Sequence, residues 1–545
     1  MRPGWPDREE QLQRLRSGGA PYDVLVVGGG ATGTGVALDA ATRGLSVALV
    51  DRGDFSSGTS SRSTKLIHGG VRYLEKAVKH FDRSQFNLVR DALHERAILL
   101  KIAPHLSHPL PIVTPLYNWL DVPYYLTGLK LYDWLAGRSN LQTSRFVDAK
   151  EALQRFPMLR QQGLRGGVLY YDGQFDDARM NLAIALTAAR EGAVIANHVG
   201  VTALALEDGR VRGAELEDRL TGRRFGVAAR VVVNATGPFT DGLRRMEDPA
   251  AEPMVTASSG IHIVLDQRFS PPATGLLIPQ TEDGRVLFLM PWLGHTLVGT
   301  TDNEAAIEEN PRAHEDEIAY VLRHVDRYFA VPVSRSDVKA AWSGLRPLVA
   351  DPHAADTAGL SRDHVVNVGP AGLVTIAGGK WTTYRRMAVD AVNEAVRVGE
   401  LAPARESATQ SLSLVGAEGF SAQGAGALQE RFGLDADVAS YLNRAYGSFA
   451  AEVAALANDG HGARLLPEQP YLEAEVVYAA RFEYARSSAD VLWRRLRVAM
   501  LDEADASAAL ERVSELLAGE LGWSRERREG DRDEAAALLG QAQAA

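Results

Sequence analysis

The chain has 545 residues, 46% of them hydrophobic and 23% charged, the proportions of an ordinary globular protein. With 59 Lys and Arg against 69 Asp and Glu, its formal net charge is −10, which argues against a general nucleic-acid binder and leaves room for a local basic pocket. There is no cysteine, which excludes disulfides, thiolate metal sites, a cysteine nucleophile and a cysteinyl flavin.

At roughly 150 residues per domain, the length predicts two to four domains. Residues 1–21 are charged and lack the apolar core of a signal peptide. No run of 18 apolar residues predicts a spanning helix. From Tyr22 to Asp51 the pattern is strand, glycine turn, helix, strand: a βαβ unit of a parallel sheet. A Ser-rich stretch follows from Ser56 to Thr64. Phe86, Val89, Leu93, Ala97 and Leu100 recur at steps of three or four and predict a long helix from Glu75 to Pro104. Residues 105–136, rich in Pro, Leu, Tyr and Trp, show no clear periodicity. A helix is expected at Asp177–Glu191, then short strands up to Asn234 with hairpin turns at Asp208-Gly209 and Thr221-Gly222. Ile261–Leu265, Gly275–Ile278, Val286–Met290 and Thr296–Gly299 predict a second, antiparallel sheet. Beyond Thr382 the pattern turns helical, with a Ser/Gly/Ala-rich linker over 402–426.

The richest motif is Gly28-Gly29-Gly30-Ala31-Thr32-Gly33, a G-x-G-x-x-G between a strand and a helix. Gly28 allows the tight turn, Gly30 the backbone's approach to a pyrophosphate, and Gly33 close helix–strand packing. The helix N-terminus offers free N–H groups to the phosphates. Asp51, ending the second strand, is placed to accept from ribose hydroxyls. This much predicts a dinucleotide site without separating NAD from FAD. Two later segments favour FAD, because the chain must return to cover an isoalloxazine ring. They are the strand end Asn234-Ala235-Thr236-Gly237 and the turn Gly378-Gly379-Lys380-Trp381-Thr382. The helix beyond Thr382 is placed to aim its N-terminal dipole at the flavin N1–C2=O locus.

Several long segments resemble the FAD-dependent glycerol-3-phosphate dehydrogenases, in the same order over about residues 22–390. They are Gly28–Gly35, Thr59–Leu74, Tyr171–Arg179, Asn234–Pro238, Gly299–Asp302, Ser343–Leu348 and Gly378–Tyr384. Tyr171–Arg179 is most similar to the mitochondrial-type branch, and the helical C-terminus resembles the family's cap domain more loosely. The resemblance implies oxidation of sn-glycerol 3-phosphate to dihydroxyacetone phosphate, with hydride passing from C2 to flavin N5. It further implies electron transfer to a membrane quinone, or in one branch to oxygen, and a homodimer.

On that basis each site residue has an expected role. A phosphate dianion calls for guanidinium groups, and Arg72 and Arg346 are the candidates. Tyr73 is expected to add a hydroxyl contact. Lys380 holds either substrate phosphate or the anionic reduced flavin. Removing the hydroxyl proton calls for a base, and His262 is the first candidate, with a satisfied core histidine as the alternative. His68 is expected to line the flavin, with roles as base or covalent flavin attachment left open. Thr59, Ser60, Ser63, Thr64 and Lys65 are expected cofactor contacts.

The expected fold is α/β, with a Rossmann-like FAD-binding domain, an antiparallel-sheet substrate domain and a helical C-terminal cap. The segments are an extension 1–21, FAD-binding parts 22–105, 166–250 and 351–400, a substrate or cap region 106–165, the substrate sheet 251–350 and the helical domain 401–545. Trp119, Tyr124, Tyr125, Tyr132 and Trp134 suit a membrane interface, or else a lid or core. A peripheral protein at the cytoplasmic face of a membrane is the expectation. No metal cluster and no calcium loop is visible. An oxygen-using oxidase is the runner-up; an amine or amino-acid oxidase and a non-catalytic flavin-binding protein are more remote.

Overall fold

The computed structural model describes residues 4–70, 83–349 and 363–543. The first sheet runs, from one edge, His364–Val368, Val374–Gly378, Arg223–Asn234, Tyr22–Val27, Val47–Val50, Val194–Ala196. Tyr22–Val27 lies inside it, parallel to both of its neighbours. Val24–Val27 is therefore buried on both faces, which is why it reads as an unbroken apolar run rather than an alternation. The helix Ala31–Thr42 packs between Asp177–Arg190 and Tyr384–Gly399. Its small residues permit this: Gly35 lies where a Cβ would press on Tyr384 and Ala388. An antiparallel ribbon of Val199–Glu207, Arg210–Asp218 and the first half of Arg223–Asn234 extends the sheet. Its first turn is Asp208-Gly209, with φ of 50° and 72°, as a two-residue hairpin of this hand requires.

The second sheet runs Asn303–Glu304, Val255–Asp266, His295–Gly299, Leu287–Trp292, Gly275–Ile278, Ser107–Leu116, Gly166–Phe175, Leu66–Ile67. Val338–Val349 pairs with Val255–Asp266, and Arg145–Asp148 with Gly166–Phe175. All pairs are antiparallel except Gly275–Ile278 with Ser107–Leu116. Two features differ from the sequence expectation. Gly166–Phe175 and Leu66–Ile67 belong to this sheet, whereas the sequence expectation places them in the FAD-binding parts 166–250 and 22–105. Residues 105–136 contain a strand, Ser107–Leu116, and a helix, Asp121–Ala136. Pro109, Pro111 and Pro115 interrupt the strand's pattern. The helix leaves Tyr124 and Trp134 exposed, so its apolar residues are not confined to one face. The helix expected from Glu75 is described from Arg83 to Ile102.

After the turns that follow Gly399, helices run from Gly424 to Gln543. This helical domain is joined to the rest by buried ion pairs. Arg179, on Asp177–Arg190, meets Glu483 through two parallel hydrogen bonds of 3.0 and 2.8 Å. Its guanidinium also lies over the Tyr446 ring. Arg494 and Arg495 both reach Asp54. Among the described residues no helix is long and apolar enough to cross a membrane.

Candidate active site

The glycine turn has the geometry its sequence demands. Gly28 has φ of 111°, and a Cβ there would overlap the Ala235 carbonyl. A Cβ at Gly33 would overlap the carbonyl oxygen of Gly28. Gly30 caps the helix Ala31–Thr42 without a side chain. Ser60 Oγ accepts from Ala31 N–H at 2.9 Å. The following N–H groups, of Thr32 and Gly33, have no partner within the helix by its geometry and offer themselves to an anion. Asp51 accepts from the N–H groups of Gly29 and Gly53, and burial pushes its carboxyl up from the ordinary range. A helix N-terminus, a cradle that side chains would fill and an acid ending the second strand form a donor set that fits FAD. We expect Gly33→Ala to yield protein without flavin, read as the ratio of visible to ultraviolet absorbance after purification. Stoichiometric flavin in that variant would disprove the packing argument.

The second sheet turns one face toward this cradle. Ser258, Gly260 and His262 alternate along Val255–Asp266, and Trp342, Gly344 and Arg346 along its partner strand. The register pairs Ser258 with Arg346 and His262 with Trp342. Gly344 packs on Arg62, and Thr59 Oγ donates to the Leu345 carbonyl at 2.6 Å, so the sheet closes on the 59–65 turn. The Arg346 guanidinium lies over Gly260, where a Cβ would overlap it. It donates to Ser259 O (3.0 Å), Thr300 Oγ1 (2.9 Å), Thr301 O (3.0 Å) and Asp302 Oδ1 (3.2 Å). Ser258 Oγ donates to the same Asp302 oxygen. Held in this way, the guanidinium keeps 21% of its side chain exposed.

His262 is buried and stacks on Trp342, ring centres 4.4 Å apart. Its Nε2 is 3.0 Å from Thr64 Oγ1. Burial, and then the charges of Lys65 and Arg346, hold its pKa well below the ordinary imidazole value, so it is neutral. Its Nδ1 has no hydrogen-bond partner among the described residues. His68 is half-buried, with its ring 6.0 Å from Phe288 of the second sheet. Its N–H donates to Thr382 Oγ1 at 3.2 Å, which ties the 378–382 turn to the His68 segment. Gly378 and Gly379 both have φ near 78°, and Lys380 beside them is half-buried.

The structure thus brings Gly28–Gly33, Ser60, Thr64, His68, Thr382, His262 and Arg346 around one junction. Arg72 and Tyr73 lie outside the described residues. Two expected cofactor contacts are corrected. Lys65 is fully buried, and its ammonium is spent on Ser61 O (2.8 Å) and Asp177 (2.7 Å) rather than turned to a ligand. Asn234 is also fully buried, donating to Thr240 O (2.9 Å) and accepting from Thr236 Oγ1 (2.7 Å), so its amide builds the turn itself. Ser63 hydrogen-bonds Asp177 through both its N–H and its hydroxyl.

Some residues of the site lay in segments noticed only for their resemblance, or outside them, and had no role assigned. Asp177 collects Ser63, Lys65 and Arg497. Gly69 N–H donates to Tyr132 Oη at 2.7 Å, and that hydroxyl in turn donates to Asp172 at 2.9 Å. Asp172 is also paired with Arg96 at 2.6 Å. Burial raises Asp172 to about 6. Asp302 and Thr300 lie in a segment noticed for its resemblance, without a role assigned.

Residues 23–385 match the family model described as FAD dependent oxidoreductase. Residues 407–528 match that of the C-terminal domain of alpha-glycerophosphate oxidase. The chain is 49% identical to a mitochondrial glycerol-3-phosphate dehydrogenase of Arabidopsis thaliana, over 98% of this chain and 89% of that protein. To the mitochondrial glycerol-3-phosphate dehydrogenase of Homo sapiens it is 51% identical, over 95% and 73%. Among solved structures it is similar to the glycerol-3-phosphate dehydrogenase of Bacillus halodurans complexed with FAD. That match has a TM-score of 0.80 and 29% identity over 98% of this chain and 97% of the other.

Proposed function

Because the chain belongs to the FAD-dependent glycerol-3-phosphate dehydrogenases of the mitochondrial type, we propose that it oxidises sn-glycerol 3-phosphate to dihydroxyacetone phosphate and passes the electrons to a membrane quinone. FAD, when bound, would supply the two-electron acceptor for oxidation at substrate C2. The observation that carries the reading is Arg346, a guanidinium fixed over Gly260 on the sheet face that carries His262.

A guanidinium held in advance offers its charge to a phosphate dianion without ordering a long side chain at the moment of binding. Asp302 and the carbonyls of Ser259 and Thr301 set its direction. Lys380 is the second cation on our reading, and Arg72 and Tyr73 add further contacts to the substrate. Thr59, Ser60, Thr64 and His68 line the cofactor. On this reading the proton of the C2 hydroxyl goes to His262. A neutral, buried imidazole beside two cations is a weak base, so the proton leaves in step with the hydride, when the hydroxyl is most acidic.

One consequence is a pH profile. Anaerobic flavin reduction at saturating substrate should keep its rate as pH falls through 6.5, the ordinary imidazole value. A fall there that disappears in His262→Asn would show that His262 titrates normally and would contradict this role.

Exposed Trp119, Leu120, Tyr124 and Trp134 at and before the helix Asp121–Ala136 support peripheral attachment to a membrane, at its cytoplasmic face, where quinone is reached. The test of the whole reading is anaerobic titration of the oxidised protein with glycerol 3-phosphate. Bleaching of the flavin band is the expected result, and an FAD-loaded sample that does not bleach would refute it. Re-oxidation by a short-chain quinone should then outrun re-oxidation by oxygen. The reverse, with peroxide formed at turnover rate, would make the protein an oxidase.

A further inference from the structure

Trp493-Arg494-Arg495-Leu496-Arg497, in the helical domain, places three arginines within four residues. In the structure Arg495 and Arg497 are buried at 1% exposure, and each reaches beyond its own domain, to Asp54 and to Ser61 respectively. Arg497 donates through Nη2 to Ser61 O and to Asp177 Oδ1, each at 2.9 Å, and through Nη1 to Trp493 O at 2.9 Å. Lys65 Nζ meets the same Ser61 carbonyl (2.8 Å) and the other Asp177 oxygen (2.7 Å). Asp176 lies 3.7 Å from Arg497 Nε, so two cations face two carboxylates around one peptide carbonyl. Trp292 packs against both cations, 5.0 Å from Lys65 and 5.3 Å from Arg497.

Ser61 is the last residue of the short helical turn Thr59–Ser61. The same turn holds Ser60, whose Oγ accepts from Ala31 and whose carbonyl accepts from Trp381 Nε1 at 2.9 Å. Thr59 is fixed to Leu345. Four segments therefore grip three residues: the glycine-turn helix, the 378–382 turn, the second sheet and the helical domain. Arg497 itself sits at φ of 70°, a conformation seldom taken by residues other than glycine.

We propose that Arg497 is a positioning residue for FAD, supplied by the helical C-terminal domain. By holding the Ser61 carbonyl against Asp177, it fixes the turn on which the cofactor rests. This inference depends on the reading that the 59–65 turn contacts FAD. Neighbouring Arg494 gives an internal comparison, because it binds Asp54 (2.7 Å) and Asp490 (2.6 Å) and helps dock the same domain without touching Ser61.

The test is titration of apoprotein with FAD, followed by quenching of flavin fluorescence. It is read together with the visible spectrum of the bound flavin and the thermal midpoint of the apoprotein. Arg497→Met should weaken FAD by about tenfold or more, as the loss of a charge-assisted hydrogen bond implies, and shift the flavin spectrum. Arg497→Lys keeps the charge but not the planar fork, and should fall between Arg497→Met and the unaltered protein. Arg494→Ala should lower the thermal midpoint and leave FAD affinity within about twofold, a difference too small to matter on the energy scale. Ser60→Ala tests the reading beneath: it should weaken FAD too. If Ser60→Ala weakens FAD and a folded Arg497→Met does not, the positioning role is wrong and the turn's contact with FAD stands. If Arg497→Met is not recovered folded, unaltered affinity in Arg497→Lys overturns the role in the same way. If neither Ser60→Ala nor the Arg497 variants alter affinity, the contact itself is refuted. An equal loss in Arg494→Ala would reduce Arg497 to domain docking and also overturn the proposal.

Discussion

Replacing Arg346 by alanine lowers kcat/KM for glycerol 3-phosphate by roughly two to three and a half orders of magnitude, raises KM and leaves FAD content near normal. The scale follows from removing one partner of a hydrogen-bonded charge contact, roughly 3–5 kcal/mol at about 1.4 kcal/mol per tenfold. Two effects add. The substrate phosphate loses its fork, and Asp302, 6% exposed, loses its cation and stays beside the place the dianion is to occupy. Arg346→Lys restores the charge but cannot reproduce contacts to Ser259, Thr300, Thr301 and Asp302 from one ammonium, so it should recover only part of the loss. Asp302→Asn in the Arg346→Ala background should regain some affinity by removing a negative charge beside the dianion's place. Steady-state kinetics on flavin-replete protein decide the matter, and unchanged kinetics would remove Arg346 from the site.

The second large effect is on stability. Arg179→Leu leaves Glu483, buried at 3% exposed, without its two hydrogen bonds and with only the more distant Arg495, at 3.7 Å, as a cation. Breaking a buried pair from one side costs about 3–5 kcal/mol. The thermal midpoint should fall, and separation of the helical domain should precede unfolding of the rest, because this pair bridges Asp177–Arg190 and the C-terminal helices. Adding Glu483→Gln to Arg179→Leu should return part of the loss. A midpoint unmoved by Arg179→Leu would show the pair to be a spectator. The acid dependence follows a separate group: burial raises Asp172 to about 6 from an ordinary 3.8. The folded protein therefore holds more protons than the unfolded chain between these values, so this group's contribution favours folding at lower pH and is lost as pH rises through 6.

The parts legible in the sequence are those whose physics is local. Gly28, Gly30 and Gly33 announce themselves because each is required by a turn or contact within a few residues. Asp51 follows from its place at the end of the next strand. The Asp208-Gly209 hairpin is equally local. Arg346 and His262 were recognisable as candidates, but not their arrangement, which depends on a strand register joining residues more than 80 apart. Lys65 shows the opposite failure. The family resemblance makes Lys65 a ligand contact, and only Asp177, 112 residues away, reveals it as an internal strut. The burial of Arg495 and Arg497 was illegible for the same reason. Their partners Asp54, Ser61 and Asp177 lie hundreds of residues upstream.

The position of Tyr22–Val27 inside the first sheet has a consequence for biosynthesis. One of its two neighbours, Val47–Val50, leaves the ribosome almost at once, but the other pairs through Ala229–Asn234, some 200 residues later. At 5–20 residues per second that interval is roughly 10–40 s. Throughout it an apolar strand presents an open edge to the surrounding solution, the condition that favours mispairing between chains. Dense translation of this message should therefore bring nascent chains to aggregation before any of them has completed the sheet that receives the flavin.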